Sequence, residues 1–209
     1  MARRGRREKR TPGFEQLPRR QLRNPFSPME ILDATQLQRI HDASMVILED
    51  IGLEFLDPDA CREMQAAGAN VDIKTGRVRM DRGLVAEAVA KAPSQFTLHA
   101  RNPAHDMQIG GDFINFAFVS SPPNASDLTG GRRPGNFEDF CNLVRLAQTL
   151  NIVHGTGGYP VEPIDRPANS RHLDCVQAIL TLTDKPFGAY ALGHQRIADA
   201  IDMACIVYG

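Results

Sequence analysis

Few residues in this chain sit in arrangements that could do chemistry. Gly155-Thr156-Gly157-Gly158 follows a short apolar run, and a glycine-rich turn after a strand can cradle phosphate on its N–H groups. Tyr159, Pro160 and a proline-rich loop come directly afterwards, so no helix amino terminus is aimed at the glycines and a nucleotide site is not supported. His172 and Cys175 stand three apart, a spacing that can place two metal ligands on one helix face. No second pair lies near in sequence, so no metal is expected. Glu138 and Asp139 are adjacent carboxylates, but at a helix start they complement the dipole. There is no Walker lysine, no GxSxG elbow and no HExxH pair.

The elements that must position these groups run through residues 136–193. Asn136 offers an N-cap, and Phe137, Phe140, Cys141, Val144, Ala147 and Leu150 recur at helical spacing. Asn151-Ile152-Val153 is a brief apolar run closed by glycines and proline, which suits a buried strand entering a loop. Residues 171–183 return to helical spacing through Leu173, Val176, Ile179 and Leu180. Lys185-Pro186 stops them before a second strand at 187–192, and Ile197, Ile201, Ala204 and Tyr208 mark a further helix. The 37 positions from Val153 to Tyr190 hold one strand, its loop and a crossover helix, so the pattern is a βαβ unit. Such units build a closed barrel or an open doubly wound sheet. Only about three strands are read, whereas a (β/α)8 barrel takes about 250 residues. The expectation is therefore an α/β fold, the front part of something longer.

Upstream, Asp33 with Gln36 caps a long helix striped by Leu37, Ile40, Ile47 and Ile51 and ended by Gly52. Asp57-Pro58 starts a shorter one through Cys61 and Met64 that stops at Gly68. Residues 71–80 alternate around Thr75-Gly76 as a hairpin, and Asp81 caps a third helix through Leu84, Val85, Ala88 and Val89. Strands are expected at 95–100 and 107–109. The aromatic run 113–119 reads as a buried strand that meets a loop at Ser120-Ser121-Pro122-Pro123. A linker at 127–135 leads into the βαβ unit.

Composition is that of an ordinary globular chain, with 42% hydrophobic and 23% charged residues, enough to bury a core. Charge is unevenly spread. Residues 1–23 hold nine Lys/Arg and two Asp/Glu, a net +7, which leaves −8 for the remainder. Arg3-Arg4-Gly5-Arg6-Arg7-Glu8-Lys9-Arg10 could meet nucleic-acid phosphates, but no aromatic or base-reading element accompanies it, and a solvated, disordered tail is the simpler reading. Nothing approaches the roughly 18 apolar residues of a membrane span, and no secretory signal follows the arginines. Cys61, Cys141, Cys175 and Cys205 are widely spaced and read as reduced, so a cytoplasmic protein is expected. The expected divisions are a basic disordered arm at 1–26, a helical and β region at 27–112, and the first part of a (β/α) barrel at 113–209.

Several phrases, in order, resemble the amino-terminal half of the trimethylamine methyltransferase family. They are Ile51 to Phe55, Ala66-Ala67-Gly68-Ala69 with Val71, Phe96 to Pro103, Gly110-Gly111-Asp112, Asp127 to Pro134 and Lys185-Pro186-Phe187. The likeness runs from about Ile31 to Gly209. It implies an incomplete TIM (β/α)8 barrel, first strands only, preceded by a helical and β amino-terminal region. It also implies transfer of a methyl group from a tertiary or quaternary amine, such as trimethylamine or glycine betaine, to a corrinoid protein. On that reading the chain binds no cofactor itself, and the corrinoid (cobalamin) rides on the partner. The position that separates pyrrolysine-containing members from the others lies beyond residue 209.

Barrel sites gather where strands end, which here means Ser120 and Ser121, then Gly157, Gly158 and Tyr159, then Tyr190, Gly193 and His194. A methylammonium group is held by aromatic faces and a substrate carboxylate by Arg, His or backbone N–H groups. The resemblance thus makes Tyr159 and Tyr190 candidates for the ammonium-facing wall, with His194 and Ser121 as polar substrate contacts. No catalytic residue is assigned. The plainer readings are packing for the tyrosines, loop or helix-cap duty for His154 and His194, and steric need for the glycines. An inactive piece is the other outcome: an open edge of three strands would dimerise or aggregate, and little or no methyl transfer is expected of the isolated chain.

Overall fold

The computed structural model describes residues 14–190 and 192–209. The arginine-rich run at 3–10 lies outside the described residues. Two compact units emerge, Pro25–Ser94 and the residues 95–209 together with the described residues up to Asn24.

The first described segment has little regular structure beyond β1 (Leu22–Arg23), and side-chain amides stitch it down. Gln16 Nε2 donates to the Thr149 carbonyl at 3.0 Å, while its Oε1 accepts the Asn151 N–H at 2.9 Å. Asn151 Nδ2 returns a bond to the Leu17 carbonyl at 2.9 Å, and Arg19 spans the carbonyls of Ala104 and His105.

In the unit 25–94, α1 (Ala34–Val46) starts with the expected capping box: Asp33 Oδ1 accepts from the Gln36 N–H at 2.8 Å and Gln36 Oε1 from the Asp33 N–H at 3.0 Å. Its last turn widens over Ile47–Ile51 and closes with the Gly52 N–H on the Ile47 carbonyl. There follow β2 (Leu53–Glu54), α2 (Pro58–Ala66) behind Asp57, β3 (Asn70–Asp72), β4 (Arg77–Arg79) and α3 (Arg82–Lys91) behind Asp81. The strands order β2-β4-β3, all antiparallel, with Val78 opposite both Leu53 and Val71. The hairpin was foreseen, β2 was not. Cys61, Ala69 and Val78 form the buried centre, against Phe55, Met64 and Leu84.

The other unit opens with an antiparallel pair, β5 (Gln95–Leu98) and β6 (Met107–Gly110), and β7 (Phe113–Ile114) pairs antiparallel with β1. The expected linker is instead a second hairpin, β8 (Asn124–Asp127) with β9 (Gly131–Pro134). Asp127 Oδ1 accepts the N–H groups of Thr129 and Gly130 at 2.9 and 2.5 Å, which tightens the turn, and Arg133 bridges Asp127 to Asp139. Three helices complete the unit: α4 (Phe137–Thr149), capped by Asn136 and Asp139, α5 (Arg171–Leu182) and α6 (His194–Tyr208). Phe140 and Val144 of α4 bury against Cys175, Ala178 and Ile179 of α5. Val176 and Leu180 meet Ala200 of α6.

The strands expected at 151–153 and 187–192 form no ladder among the described residues, and the aromatic run keeps ladder pairing only at β7. Instead, residues 116–122 lie parallel to 154–162. The His154 N–H donates to the Phe116 carbonyl at 2.8 Å, Ala117 and Gly155 form one parallel bridge, and the Ser121 N–H donates to Tyr159 O at 2.6 Å. Glu162 N–H follows on Pro122 O at 3.0 Å. A regular parallel ladder needs evenly spaced donors, and Pro122, Pro123 and Pro160 supply none while Gly157 turns to φ +68°. No closed barrel is present among the described residues, and no described helix is long and apolar enough to cross a membrane.

Candidate functional site

Packing of α4 on α5 fixes the first wall. Tyr159, only 3% exposed, meets Phe140 edge to face at 5.4 Å, and its ring centre lies 4.4 Å from that of Tyr190. The Tyr190 hydroxyl is a hub. It accepts the Tyr159 N–H at 3.3 Å, lies 2.5 Å from Ser120 Oγ and bonds Ser121 Oγ. Ser121 is held at φ +57°, a left-handed conformation uncommon for serine, by this bond and by its N–H on Tyr159. Close approach also explains Gly158: a Cβ there would fall 2.4 Å from Ser120 Oγ. The structure thus brings Ser121, Tyr159 and Tyr190 together. His194 does not join them; it is exposed, at the first residue of α6.

Beside the tyrosines is a cleft of about 130 Å³ whose polar walls are Glu162, Arg171, His172 and Arg196. Arg171 reaches Glu162 at 3.3 Å and the Arg166 carbonyl at 2.9 Å, and Arg196 donates to the Ala168 carbonyl at 3.0 Å. His172 Nε2 is 2.7 Å from Asp199 Oδ2, while Gln195 donates to Asp199 Oδ1 at 2.8 Å. Those two bonds, His172 first, hold the Asp199 carboxyl below the usual carboxylate range. Sequence reasoning passed over Arg171 and Arg196 and weighed His172 only as a metal ligand. A signal existed: Arg171 is the first residue of α5, where a cation opposes the helix dipole, so something other than helix stability places it there.

Burial raises the Tyr159 phenol above its ordinary range and pushes the Cys175 thiol up to about 12. Neither is ionised near neutrality, so the cleft holds no activated nucleophile among these groups. Among the described residues no three His, Cys, Asp or Glu side chains cluster as metal ligands. What the arrangement can do is bind: ring faces for a cation, guanidinium groups for an anion.

Two further buried polar groups lie outside the cleft lining. His154 accepts the Phe116 N–H on Nδ1 at 2.9 Å, so its Nε2–H donates to the Arg20 carbonyl at 3.2 Å, and burial lowers its pKa. It pins the parallel segments together. Lys185, read from sequence only as a helix stop, sends its ammonium to the carbonyls of Ala147, Leu150 and Val153 at 2.6, 2.8 and 2.6 Å. Burial, with Arg19 adding to it and Asp184 opposing, brings that ammonium down to about 8.

The whole chain, residues 1–209, matches the family described as trimethylamine methyltransferase (MTTB). The glycine betaine methyltransferase of Desulfitobacterium hafniense (strain Y51) is 37% identical over 179 residues, 86% of this chain and 37% of that protein. The trimethylamine methyltransferase MttB of D. hafniense (strain DSM 10664 / DCB-2) is 27% identical over 175 residues, 83% of this chain and 35% of that one. With MttB of Methanosarcina barkeri (strain Fusaro / DSM 804) the identity is 35% over 74 residues, 35% of this chain and 15% of the relative. This chain spans 37% or less of the length of each of these curated relatives.

Proposed function

The chain belongs to the trimethylamine methyltransferase family, and from that premise we propose that it supplies the amine-binding part of a methyl transfer from a methylated ammonium substrate to a corrinoid protein. One observation carries the reading: Tyr159 and Tyr190 lie ring to ring at 4.4 Å in a cleft that also holds Arg171 and Arg196. A quaternary ammonium is attracted to aromatic faces, and a carboxylate on the same molecule pairs with guanidinium. A betaine suits both walls, whereas trimethylamine would leave the arginines unused. The relative that is 37% identical is itself named for glycine betaine, which favours the same choice.

A cleft of about 130 Å³ cannot enclose a corrin ring, so it is read as the amine site alone and the corrinoid as a methyl acceptor on a separate protein. The work of this chain is to orient and to exclude water. Arg196, with no carboxylate partner among the described residues, takes the substrate carboxylate, and the tyrosine faces hold the methylammonium pole. An amine that loses a methyl group from a quaternary nitrogen leaves neutral and needs no proton for that step. A phenol kept protonated at Tyr159 is compatible with this chemistry. The parallel run of 116–122 beside 154–162, with Gly155 next to Pro186, supports the further proposal that these segments begin a (β/α)8 barrel.

Calorimetric titration with glycine betaine tests the proposal. Saturable binding is expected, weakened at least about tenfold by Tyr190→Ala and by Arg196→Gln, as loss of a charged or cation–π contact requires. Absence of binding by any methylated amine overturns it.

A further inference from the structure

Aromatic faces attract a methylammonium group, yet they also pack well against an uncharged group of the same shape, so Tyr159 and Tyr190 alone select charge only weakly. Glu162, three positions beyond Tyr159, adds a carboxylate to the same cleft. Its backbone is pinned on both sides: its N–H donates to the Pro122 carbonyl and its own carbonyl accepts the Ile164 N–H, each at 3.0 Å. Oε2 accepts from the Arg171 guanidinium at 3.3 Å, whereas Oε1 has no hydrogen-bond partner among the described residues and is not sealed from solvent, on a side chain that is 25% exposed. Arg171 has the Arg166 carbonyl as a second acceptor at 2.9 Å, so half of the carboxylate is uncommitted. The Glu162 charge reaches the aromatic wall: after burial and the Cys175 thiol, it adds to the causes that raise the Tyr159 phenol. The cleft holds only about 130 Å³, so a ligand resting on the tyrosine faces lies close to every wall.

Resting on the reading of the cleft as an amine site, we propose that Glu162 supplies the counter-charge to the ammonium pole of the substrate and is the residue that makes the site require a positive charge there. The free Oε1 carries that contact, the tyrosine faces carry shape, and Arg196 takes the carboxylate at the other pole. Arg171 moderates the effect, because its guanidinium neutralises part of the Glu162 charge. The ligand class is thus a zwitterion with a methylated cationic end. An uncharged group of the same shape is rejected because it would leave Oε1 desolvated and unpaired.

Two ligands of one shape separate charge from fit: glycine betaine and the tert-butylacetate anion, in which carbon replaces the ammonium nitrogen. Both carry the same carboxylate, so changes at the anion pole cancel in the ratio of their affinities. Calorimetric titrations of the full chain at neutral pH are expected to favour betaine, and Glu162→Gln, which keeps size and shape, to narrow that preference about tenfold. Arg171→Gln is expected to widen it about threefold, and adding Glu162→Gln to Arg171→Gln to bring it below that of the wild type. Should Glu162→Gln fail to fold, the Arg171→Gln titration decides alone. A preference unchanged in Glu162→Gln, or one that Arg171→Gln fails to widen, would overturn the counter-charge role, reduce Glu162 to a tether for Arg171 and leave the amine site standing. Failure of betaine to bind the wild-type chain would instead remove the amine site, and this proposal with it.

Discussion

Lys185 Nζ lies 2.6 Å from the carbonyl oxygen of Val153, and with its bonds to Ala147 and Leu150 it joins the end of α4 to the stretch that carries Tyr190. Three donors meet three carbonyls at the end of α4 and in the following turn, of which only Leu150 O already accepts a backbone N–H, that of Val153, so one cation does the duty of a helix C-cap. Lys185→Met would strand the Ala147 and Val153 carbonyls in the interior, while Leu150 O keeps the Val153 N–H. The expected cost is about 3 kcal/mol, read from urea unfolding followed by circular dichroism. A loss below about 0.5 kcal/mol would show that water replaces the ammonium without penalty.

The same group gives stability a pH dependence. Its folded value of about 8 lies below the ordinary 10.5, so between those limits the unfolded chain holds a proton that the fold does not. Lys185 therefore penalises the folded state below pH 8, and the penalty fades as pH rises toward 10.5. Its full size is about 3 kcal/mol. Urea midpoints at pH 7, 8.5 and 10 should rise in the wild type relative to Lys185→Met. A relative fall would contradict the assigned direction.

Tyr190 has two separable parts. Tyr190→Phe keeps the ring beside Tyr159 but loses the hydroxyl that takes the Tyr159 N–H and ties Ser120 and Ser121. Stability should fall by about 1–2 kcal/mol, while betaine binding weakens less than in Tyr190→Ala. Equal binding losses in the two variants would mean that the hydroxyl, not the face, holds the ligand.

At Gly158 the backbone takes φ +124° and a methyl group would collide with Ser120 Oγ. Gly158→Ala is expected to cost at least about 2 kcal/mol in thermal or urea unfolding. Gly188 has nothing within 4 Å of where its Cβ would lie and is the control, with Gly188→Ala expected near neutral.

Thiol labelling offers a check on the core. Cys205 is exposed, whereas Cys61 and Cys175 are buried and the Cys175 thiol is pushed up to about 12. Ellman's reagent should react promptly with Cys205 in the native chain and with Cys175 only in denaturant. Prompt native labelling of Cys175 would mean that the α4–α5 contact opens readily.

Local signals carried much of the fold. Asn136 with Asp139, Asp33 with Gln36, and Asp81 all act on N–H groups two or three residues away, so their helices could be read from adjacent letters. What was illegible depends on distant partners. The β8–β9 hairpin looked like a linker because Gly130-Gly131-Arg132-Arg133 has no apolar alternation, and what holds it is Arg133 reaching Asp127 and Asp139. Tyr159, Tyr190 and Ser121 were singled out from where strands were expected to end, and they do lie together, although the described residues form no regular strand there. Arg171, His172 and Arg196 were missed as cleft residues because nothing in their own helices says which way the starts of α5 and α6 face. His194 was named for its place at an expected strand end, yet it is Arg196, two residues on, that lines the cleft.

The stitches on Gln16 and Leu17 have a consequence in time. Their partners Thr149 and Asn151 stand 133 to 135 positions later in the chain, so these bonds cannot form until α4 has been made and placed. Closing so long a loop is slow compared with helix formation. Residues synthesised early are thus settled late, and during refolding the amide protons around Gln16 should be among the last to gain protection from exchange, well after those of α4.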